Sequence, residues 1–412
     1  MGQSSSDTAV KEDYGDLVAS FSAYFKKTET ENIIISPETI RLIESNLKKG
    51  NIQGANSAIS EALENLERVP INIAVTGESG AGKSSFINAL RGMRDEGEDA
   101  AEVGVVETTM ERKLYKHPKN KNLNLWDLPG IGTMDFPPET YLEKVKFQEY
   151  DFFILLSASR FTKLEVDLAK AIAFVKKNYY YVRTKVDRDL QDEKESKPRT
   201  FDREKVLQQI RSYCIKTFHG NKMETPPIFL ISRKHLSDYD FPVLIDTLNK
   251  DIPTQKRHSF MISLPSITEA AIDRKRKSMQ QVIWLEAFKT GLLATVPVVG
   301  IIRDDVEKLR VKLNYYRDAF GVDDDSLKHM AKNSQVPVEQ LKTIIKSPYL
   351  LEMKKETLGE TFLKYLEKFA SVNGGLLATG LYFRKTFYLQ LLFLDTVTED
   401  AKVLLRETYL RK

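Results

Sequence analysis

Cysteine and long apolar runs are scarce in this 412-residue chain. Cys214 is the only cysteine, so no disulfide can form within the chain, which is typical of proteins in a reducing cytosol. No uncharged apolar run reaches the roughly 18 residues of a membrane-spanning helix, and no secretory signal is present. The five histidines show no metal-ligand spacing. These absences predict a cytoplasmic protein without a disulfide framework.

An excess of charge of either sign is also missing. The 62 Lys and Arg residues against 58 Asp and Glu residues leave a formal net charge of +4. A charge this small gives no reason to expect nucleic acid as a partner. The length is sufficient for two or three domains with substantial cores.

What the chain does contain is a complete phosphate-binding loop, Gly-Glu-Ser-Gly-Ala-Gly-Lys-Ser, at residues 77–84. An apolar run at 71–75 precedes this G-x-x-x-x-G-K-S motif, and a segment typical of a helix follows at 85–90. Strand, glycine loop and helix in that order are the context that the motif requires. The sequence therefore predicts a nucleoside triphosphate site.

Each residue type in the loop suits a particular contact with a triphosphate or its metal ion. Gly80 and Gly82 free the backbone so that successive N–H groups can point at phosphate oxygens. Lys83 supplies a positive charge to the outer phosphates, and Ser84 offers a hydroxyl to Mg²⁺. Ser85, which follows directly, is a further candidate for nucleotide binding.

A second motif, Thr-Lys-Val-Asp at residues 184–187, indicates which base is bound. It follows a strand-like run at 179–183 and is a variant of the N/T-K-x-D guanine signature. Asp187 can accept hydrogen bonds from the N1–H and the amine of guanine, whereas adenine presents no such donor pair. Lys185 can lie along the base, and Thr184 opens the motif. The apolar run at 228–231 ends in two further candidates for base contacts, Ser232 and Arg233.

Residues for metal binding and hydrolysis lie between these motifs. Asp127 ends an alternating run at 123–126, where an acid can hold Mg²⁺ through water, and Gly130 can bring its N–H close to the γ-phosphate. A first switch loop is expected near 105–109, where Thr108 or Thr109 is available as a Mg²⁺ ligand.

One residue departs from the pattern of small signalling GTPases. Ile131 stands where those proteins place a glutamine that orients the attacking water. The sequence therefore predicts either slow hydrolysis or water positioned by another route.

Together the motifs resemble those of the interferon-inducible immunity-related GTPases. Lys83 is typical of the effector members, because the regulators carry methionine at that position. The similarity extends over nearly the whole chain and is carried by G-E-S-G-A-G-K-S at 77–84, V-V-E-T-T-M-E-R at 105–112, W-D-L-P-G-I-G at 126–132, E-Y-D-F-F at 149–153, T-K-V-D at 184–187, and the segments 256–258 and 393–401.

The resemblance implies an activity and its partners. It implies GTP-dependent self-assembly, together with related immunity GTPases, on pathogen-containing vacuoles whose membranes are disrupted. It also implies that Glu107 takes part in activation across a dimer of G domains and that Thr109 is the switch threonine, with Lys83 as the third residue expected to serve catalysis. Val103 replaces a second switch threonine of some relatives, and the resemblance puts Arg188 and Arg233 at positions that flank the nucleotide.

The first residues qualify the cytoplasmic prediction. Met-Gly-Gln-Ser-Ser-Ser matches M-G-x-x-x-[ST], the signal for myristoylation of Gly2. One acyl chain binds membranes only marginally, so a second contact or the avidity of an oligomer is also required. We expect a cytoplasmic protein that associates reversibly with intracellular membranes.

Two segments are candidates for that second contact. Residues 290–302 carry no charge but are too short to span a bilayer, and a buried helical hairpin is the favoured interpretation. Residues 358–369 place apolar side chains on one helical face beside Lys364 and Lys368. Core packing explains such a stripe more often than membrane binding does.

The overall prediction is an α/β P-loop GTPase domain with a Ras-like, mainly parallel sheet, combined with an all-α domain built from N- and C-terminal segments. The expected boundaries are 1–69 for the N-terminal tail and helices, 70–250 for the G domain and 251–412 for the C-terminal helices. Ser36 and Pro37 predict a helix start, and 251–257 is typical of a linker.

Two other functional readings remain open at this stage. A GTP-gated binding module with little hydrolysis is favoured by Ile131 and opposed by the intact set of metal ligands. A conventional monomeric signalling GTPase is disfavoured, because more than half of the chain lies outside the expected G domain.

Overall fold

A computed structural model describes residues 17–93, 95, 97, 99–103, 111–129, 138–292, 305–352, 357, 360 and 385–409. The chain divides into two compact units. The sheet unit comprises Pro70–Ile252 with Ser263–Ile267. The helical unit takes the described residues up to Val69, Pro253–Ile262, and those from Thr268 onward.

Helices account for most of the described residues. In chain order they are α1 (17–27), α2 (Pro37–Lys48), α3 (Ile52–Arg68), α4 (Lys83–Leu90), α5 (Pro138–Lys144), α6 (Lys163–Phe174), α7 (Val186–Ser196), α8 (Arg203–Gly220), α9 (Phe241–Asp251), α10 (Thr254–Ser263), α11 (Glu269–Leu292), α12 (Asp305–Phe320), α13 (Asp324–Ser334), α14 (Val338–Ile344), α15 (Ser347–Glu352) and α16 (Lys385–Tyr409).

The sheet has six strands in the order β2-β3-β1-β4-β5-β6. Every neighbouring pair is parallel except β2 and β3, which are antiparallel. The predicted fold class is thereby confirmed, although the antiparallel edge strand was not expected. The carboxyl ends of β1, β3, β4 and β5 meet at one edge, where α/β proteins bind ligands. The strands are β1 (Ile71–Gly77), β2 (Lys113–Lys116), β3 (Leu123–Asp127), β4 (Phe152–Ser157), β5 (Tyr179–Arg183) and β6 (Ile228–Leu230).

Apolar periodicity explains how the helical unit buries its core. Ile43 and Leu47 of α2 are buried with residues of α11 and α16, so both ends of the chain contribute to one core. Trp284 of α11 stacks on Tyr24 of α1, with ring centroids 4.0 Å apart and planes 6° apart. Segments far apart in sequence are therefore joined by aromatic packing as well as by aliphatic contacts.

The helix start predicted at Ser36 is confirmed by its geometry. The backbone N–H of Thr39 donates to the Ser36 hydroxyl at 3.1 Å, and Pro37 occupies the first turn. The exit linker predicted at 251–257 contains the boundary between the two units, which falls between Ile252 and Pro253. Only these two residues lie outside helices, because α9 continues to Asp251 and α10 begins at Thr254. Residues 358–359 and 361–369, together with 293–302, lie outside the described residues.

A buried carboxylate joins two helices of the helical unit. Asp400 of α16 is 2% exposed and accepts hydrogen bonds from the backbone N–H groups of Lys346, at 2.8 Å, and Ser347, at 2.7 Å. These N–H groups open α15, where helix donors lack partners within the helix. Asp400 thus caps α15 from a distant part of the sequence.

Asp400→Ala is expected to destabilise the helical unit by about 2 kcal/mol, because one buried and one partly buried N–H donor lose their acceptor. Urea unfolding followed by Trp284 fluorescence measures this, in a Trp126→Phe background that leaves a tryptophan only in the helical unit. Glu399→Ala, at the exposed neighbouring position, is the control and should change stability by less than about 0.5 kcal/mol. Equal unfolding midpoints for both variants would contradict the capping role.

Candidate nucleotide-binding site

The glycine loop connects the buried strand β1 to helix α4 at the carboxyl edge of the sheet. Gly77 has a φ of 143°, and a Cβ there would lie 2.1 Å from the carbonyl oxygen of Leu156 in β4. Only glycine fits so close to the neighbouring strand. Gly82, with a φ of 93°, turns the chain into α4, so the N-terminus of that helix points into the loop.

Lys83 opens α4 and folds back across the loop. Its Nζ donates to the carbonyl oxygens of Gly77, at 3.3 Å, and Glu78, at 3.1 Å, and the residue is 7% exposed. The ammonium charge is therefore held inside the loop instead of extending into solvent. An anion in this loop would meet that charge together with the helix N-terminus.

Ser84 and Asp127 meet at the sheet edge. Parallel pairing of β1 and β3 sets Val75 opposite Asp127, which is fully buried. The Ser84 hydroxyl donates to Oδ2 of Asp127 at 2.8 Å. A hydroxyl beside a carboxylate is a donor set that suits Mg²⁺, which usually takes few protein oxygens and completes its shell with water and phosphate. Within the described ranges, no three His, Cys, Asp or Glu side chains form a metal-holding group.

The 184–187 motif is docked directly onto the glycine loop. The Thr184 hydroxyl donates to the carbonyl oxygen of Ala81 at 2.7 Å, and Nζ of Lys185 donates to that of Gly80 at 2.7 Å. Lys185 has a φ of 59° and precedes α7, so the chain turns sharply where the motif meets the loop. These contacts bring two sequence motifs about a hundred residues apart into one site.

Positive charge is concentrated at this junction. Burial, followed by the charges of Arg188 and Arg183, lowers the pKa of the Lys185 ammonium from its usual value. Arg183 donates to the carbonyl oxygen of Thr184 at 3.0 Å and to Asp189 at 2.6 Å, which fixes the strand end that carries the motif. The site is therefore suited to an anionic ligand.

Asp187 lies in the first turn of α7, half-buried, at a cavity of about 480 Å³. This volume is within the usual range of small-molecule sites. Apolar walls that the sequence analysis missed come from Phe86, Ile231 and Leu236, which belong to no motif. The cavity brings together ten predicted residues: Gly80, Gly82, Lys83, Ser84, Ser85, Thr184, Lys185, Asp187, Ser232 and Arg233.

Asp95, which the sequence analysis did not predict as a site residue, contacts the side chains of Ser85 and Arg233. Asp95 forms an ion pair with Arg233 and accepts hydrogen bonds from the Ser85 hydroxyl, at 3.2 Å, and the Asn88 amide, at 2.9 Å. The side chains of Ser85 and Arg233 are therefore directed to Asp95, which does not itself line the cavity. No motif marks Asp95, because its partners become neighbours only through the fold.

Described residues on either side of the expected switch segment make specific side-chain contacts. Asn88 of α4 holds Ala101 through a pair of hydrogen bonds of 2.7 and 3.0 Å. Arg112 pairs with Glu149 at 2.5 Å and lies 4.8 Å from the ring centroid of Trp126. The predicted residues Gly2, Glu107, Thr108, Thr109, Gly130 and Ile131 lie outside the described residues.

The mainly parallel sheet, the glycine loop and the 184–187 motif that contacts it define the class of this protein, a P-loop GTPase. A family model described as Interferon-inducible GTPase (IIGP) matches residues 36–408, and the chain belongs to that family. The resemblance noted from the motifs is confirmed.

Curated relatives agree over almost the full length. The chain is 52% identical to Interferon-inducible GTPase 1 of Mus musculus over 398 residues, which cover 96% of each protein. It is 50% identical to mouse Interferon-gamma-inducible GTPase 10, covering 99% of this chain and 97% of the relative. It is also 46% identical to mouse T-cell-specific guanine nucleotide triphosphate-binding protein 2, covering 94% of each. The protein is therefore a GTPase of the immunity family.

Proposed function

We propose that this GTPase binds GTP with Mg²⁺ in the 480 Å³ cavity, assembles with copies of itself in the GTP state, and acts on pathogen-containing vacuole membranes in cell-autonomous immunity. The main support is the convergence of ten predicted residues on one cavity. The family match across 36–408 adds that the helical unit belongs to the same functional protein.

The glycine loop would hold the phosphates. Lys83 and the N-terminus of α4 would neutralise phosphate charge, and the backbone of Gly80 and Gly82 would supply N–H donors. Ser84, Asp127 and Thr109 would hold Mg²⁺, the first directly and Asp127 through water. When bound, the ion would stabilise the negative charge that develops on the phosphates during hydrolysis.

The docked motif would select guanine. Asp187 lines the cavity and would accept two hydrogen bonds from guanine, so a base without two matching donors would leave its carboxylate unpaired. Lys185, held against Gly80, would support one face of the base. Ser232 and Arg233 would close the opposite rim.

Hydrolysis would depend on a second copy of the chain. Ile131 has no polar group with which to orient water, and the family resemblance assigns a role across the dimer to Glu107. A G-domain dimer that completes the catalytic site would make the GTP turnover per molecule rise with protein concentration. Related immunity GTPases are proposed as further partners in the assembly.

We expect GTP turnover per molecule to rise with protein concentration, in parallel with light scattering, in GTP but not in GDP. Glu107→Ala is expected to bind GTP normally but to lose this concentration dependence. Glu111→Ala, an exposed acid of the same segment, is the matched control and should behave like the wild type. If the GTP turnover per molecule of the wild type stays constant with protein concentration, the dimer mechanism is wrong.

Membrane association is proposed to begin with myristoylated Gly2. Each buried CH₂ contributes about 0.8 kcal/mol, but one chain alone gives marginal binding, so avidity in the assembly would complete it. Across the parts of the chain that the structure describes, no helix has both the length and the apolar character to cross a bilayer.

Flotation with liposomes tests this proposal. The acylated wild type with GTP is expected to float with the vesicles, whereas Gly2→Ala should lose most of this binding while keeping its GTP turnover in solution. Gln3→Ala leaves the acyl acceptor intact and serves as the control. If Gly2→Ala floats as well as the wild type, lipidation is not the anchor.

A further inference from the structure

A buried carboxyl group lies close to the nucleotide site without belonging to any of its motifs. Glu165, in the first turn of α6, is 0% exposed. Its Oε2 accepts hydrogen bonds from the backbone N–H of Thr162, at 3.1 Å, and from the Ser157 hydroxyl, at 3.2 Å. Its Oε1 is buried with no hydrogen-bond partner. A helix cap accounts for the bond to Thr162 but not for an acid buried in this place.

Short contacts connect this carboxyl to the glycine loop. Ser157 ends β4, and its carbonyl oxygen accepts from the Thr184 N–H at 2.8 Å and from the Thr184 hydroxyl at 3.3 Å. The same hydroxyl donates to Ala81 of the loop at 2.7 Å. Glu165 thus holds a residue that directly supports the start of the base-recognition motif.

The charged and titratable groups around Glu165 come from three parts of the sheet unit: the glycine loop, β5 and α8. Glu78 of the glycine loop repels its negative form, and Arg183 of β5, which also pairs with Asp189, attracts it. The Tyr181 hydroxyl and the Cys214 thiol also face it, and burial raises the pKa of both, that of Cys214 to about 11. Both groups therefore keep their protons at neutral pH.

Glu165 is the acid of this cluster that titrates near neutrality. Burial raises the pKa of its carboxyl to about 7, reinforced by Glu78 and opposed by the bonds from Thr162 and Ser157 and by Arg183. Below that pH the carboxyl is mainly neutral, and above it Glu165 carries a negative charge.

We propose that Glu165 is a positioning residue of the nucleotide site and that guanine nucleotides bind more tightly when its carboxyl is protonated. This inference rests on the proposed function, since it needs the phosphates to lie on the loop that carries Glu78. Bound phosphates add negative charge on the same side as Glu78 and disfavour the ionised carboxylate. Protonation removes the repulsion.

The direction of the pH dependence follows from linkage. A bound nucleotide raises the pKa of Glu165 further, so binding near pH 7 takes up a proton. The affinity for guanine nucleotide must then rise as pH falls from 8 to 6. For a typical coupling free energy between nucleotide binding and protonation of Glu165, the rise is about fivefold. A residue with only a structural role would alter stability but would not move protons on binding.

Glu165→Gln is the diagnostic variant, because glutamine also satisfies a capping box but cannot ionise. Calorimetric titration of the full chain with GDP and Mg²⁺, at pH 6 and 8 and in buffers of different ionisation enthalpy, measures affinity and proton uptake together. The wild type should lose about fivefold in affinity at pH 8. The variant should keep the affinity that the wild type has at pH 6 and should take up fewer protons at pH 7.

Two controls isolate the effect of this carboxyl. Asp167→Asn, on the same helix, should keep the wild-type pH profile. Glu78→Gln removes the negative charge that raises the pKa of Glu165, so the midpoint of the plot of GDP affinity against pH should move to lower pH. This second variant still tests the proposal if Glu165→Gln folds poorly. The phosphates of GDP titrate equally in all variants and cancel in the differences.

The possible failures are distinguishable. If GDP binds Lys83→Ala as tightly as the wild type, the nucleotide does not occupy the cavity and the proposed site is wrong. If binding requires Lys83 but wild type and Glu165→Gln share one pH profile and one proton uptake, only the role of Glu165 is overturned. An unshifted midpoint in Glu78→Gln counts against it in the same way.

Discussion

Lys83→Ala will weaken GTP binding by about a hundredfold or more, because it removes a charge-assisted contact to the outer phosphates. Lys83 already lies within the loop, bonded to the Gly77 and Glu78 carbonyls, so the wild type needs little rearrangement to meet a phosphate. Calorimetric titration with a non-hydrolysable GTP analogue measures the loss.

The control for this experiment must separate ligand binding from folding. Lys170→Ala removes an exposed lysine from α6 and should leave both affinity and melting temperature unchanged. Lys83→Ala should keep the circular dichroism spectrum of the wild type, since the lost ammonium is directed at the ligand site. Unchanged affinity in Lys83→Ala would remove this residue from the phosphate site.

Asp187→Asn will exchange the preferred base, from guanine to xanthine. The asparagine amide can donate to the carbonyl that replaces the amine of guanine, whereas a carboxylate can only accept. Mismatched buried hydrogen bonds discriminate strongly, so the ratio of GTP to XTP affinity should change by about a thousandfold or more. Competition of GTP and XTP against a fluorescent nucleotide measures the ratio.

Asp192→Asn provides the matched control on the same helix. Its side chain is exposed, so its preference for GTP should equal that of the wild type. A preference for GTP that survives in Asp187→Asn would show that another group reads the base.

The sequence was informative wherever local chemistry determines local structure. The hydroxyl of Ser36 caps α2 because a short polar side chain before Pro37 suits a helix start in nearly any context. The glycine loop was equally predictable, since Gly77 meets a steric requirement that alanine cannot. Both features depend on residues that are neighbours in the chain.

Contacts between distant segments were not predictable in this way. Asp95 meets Arg233, and Asp400 caps α15, only after the chain has folded. Burial of Glu165 was equally invisible, because its spacing from Thr162 is typical of a capping box at a helix surface. The edge strand β2 was missed because it has four residues and buries only Tyr115.

The helical unit is built from segments that precede and follow the sheet unit in the sequence, and this order has a consequence for synthesis on the ribosome. Helices α1, α2 and α3 emerge first, with apolar residues that are later buried in one core with those of α11 and α16. The sheet unit, almost continuous in sequence, can fold as soon as it has been translated, because domains generally fold as units during synthesis. During that interval the nascent chain carries exposed apolar helices, which is when a chaperone would be most needed.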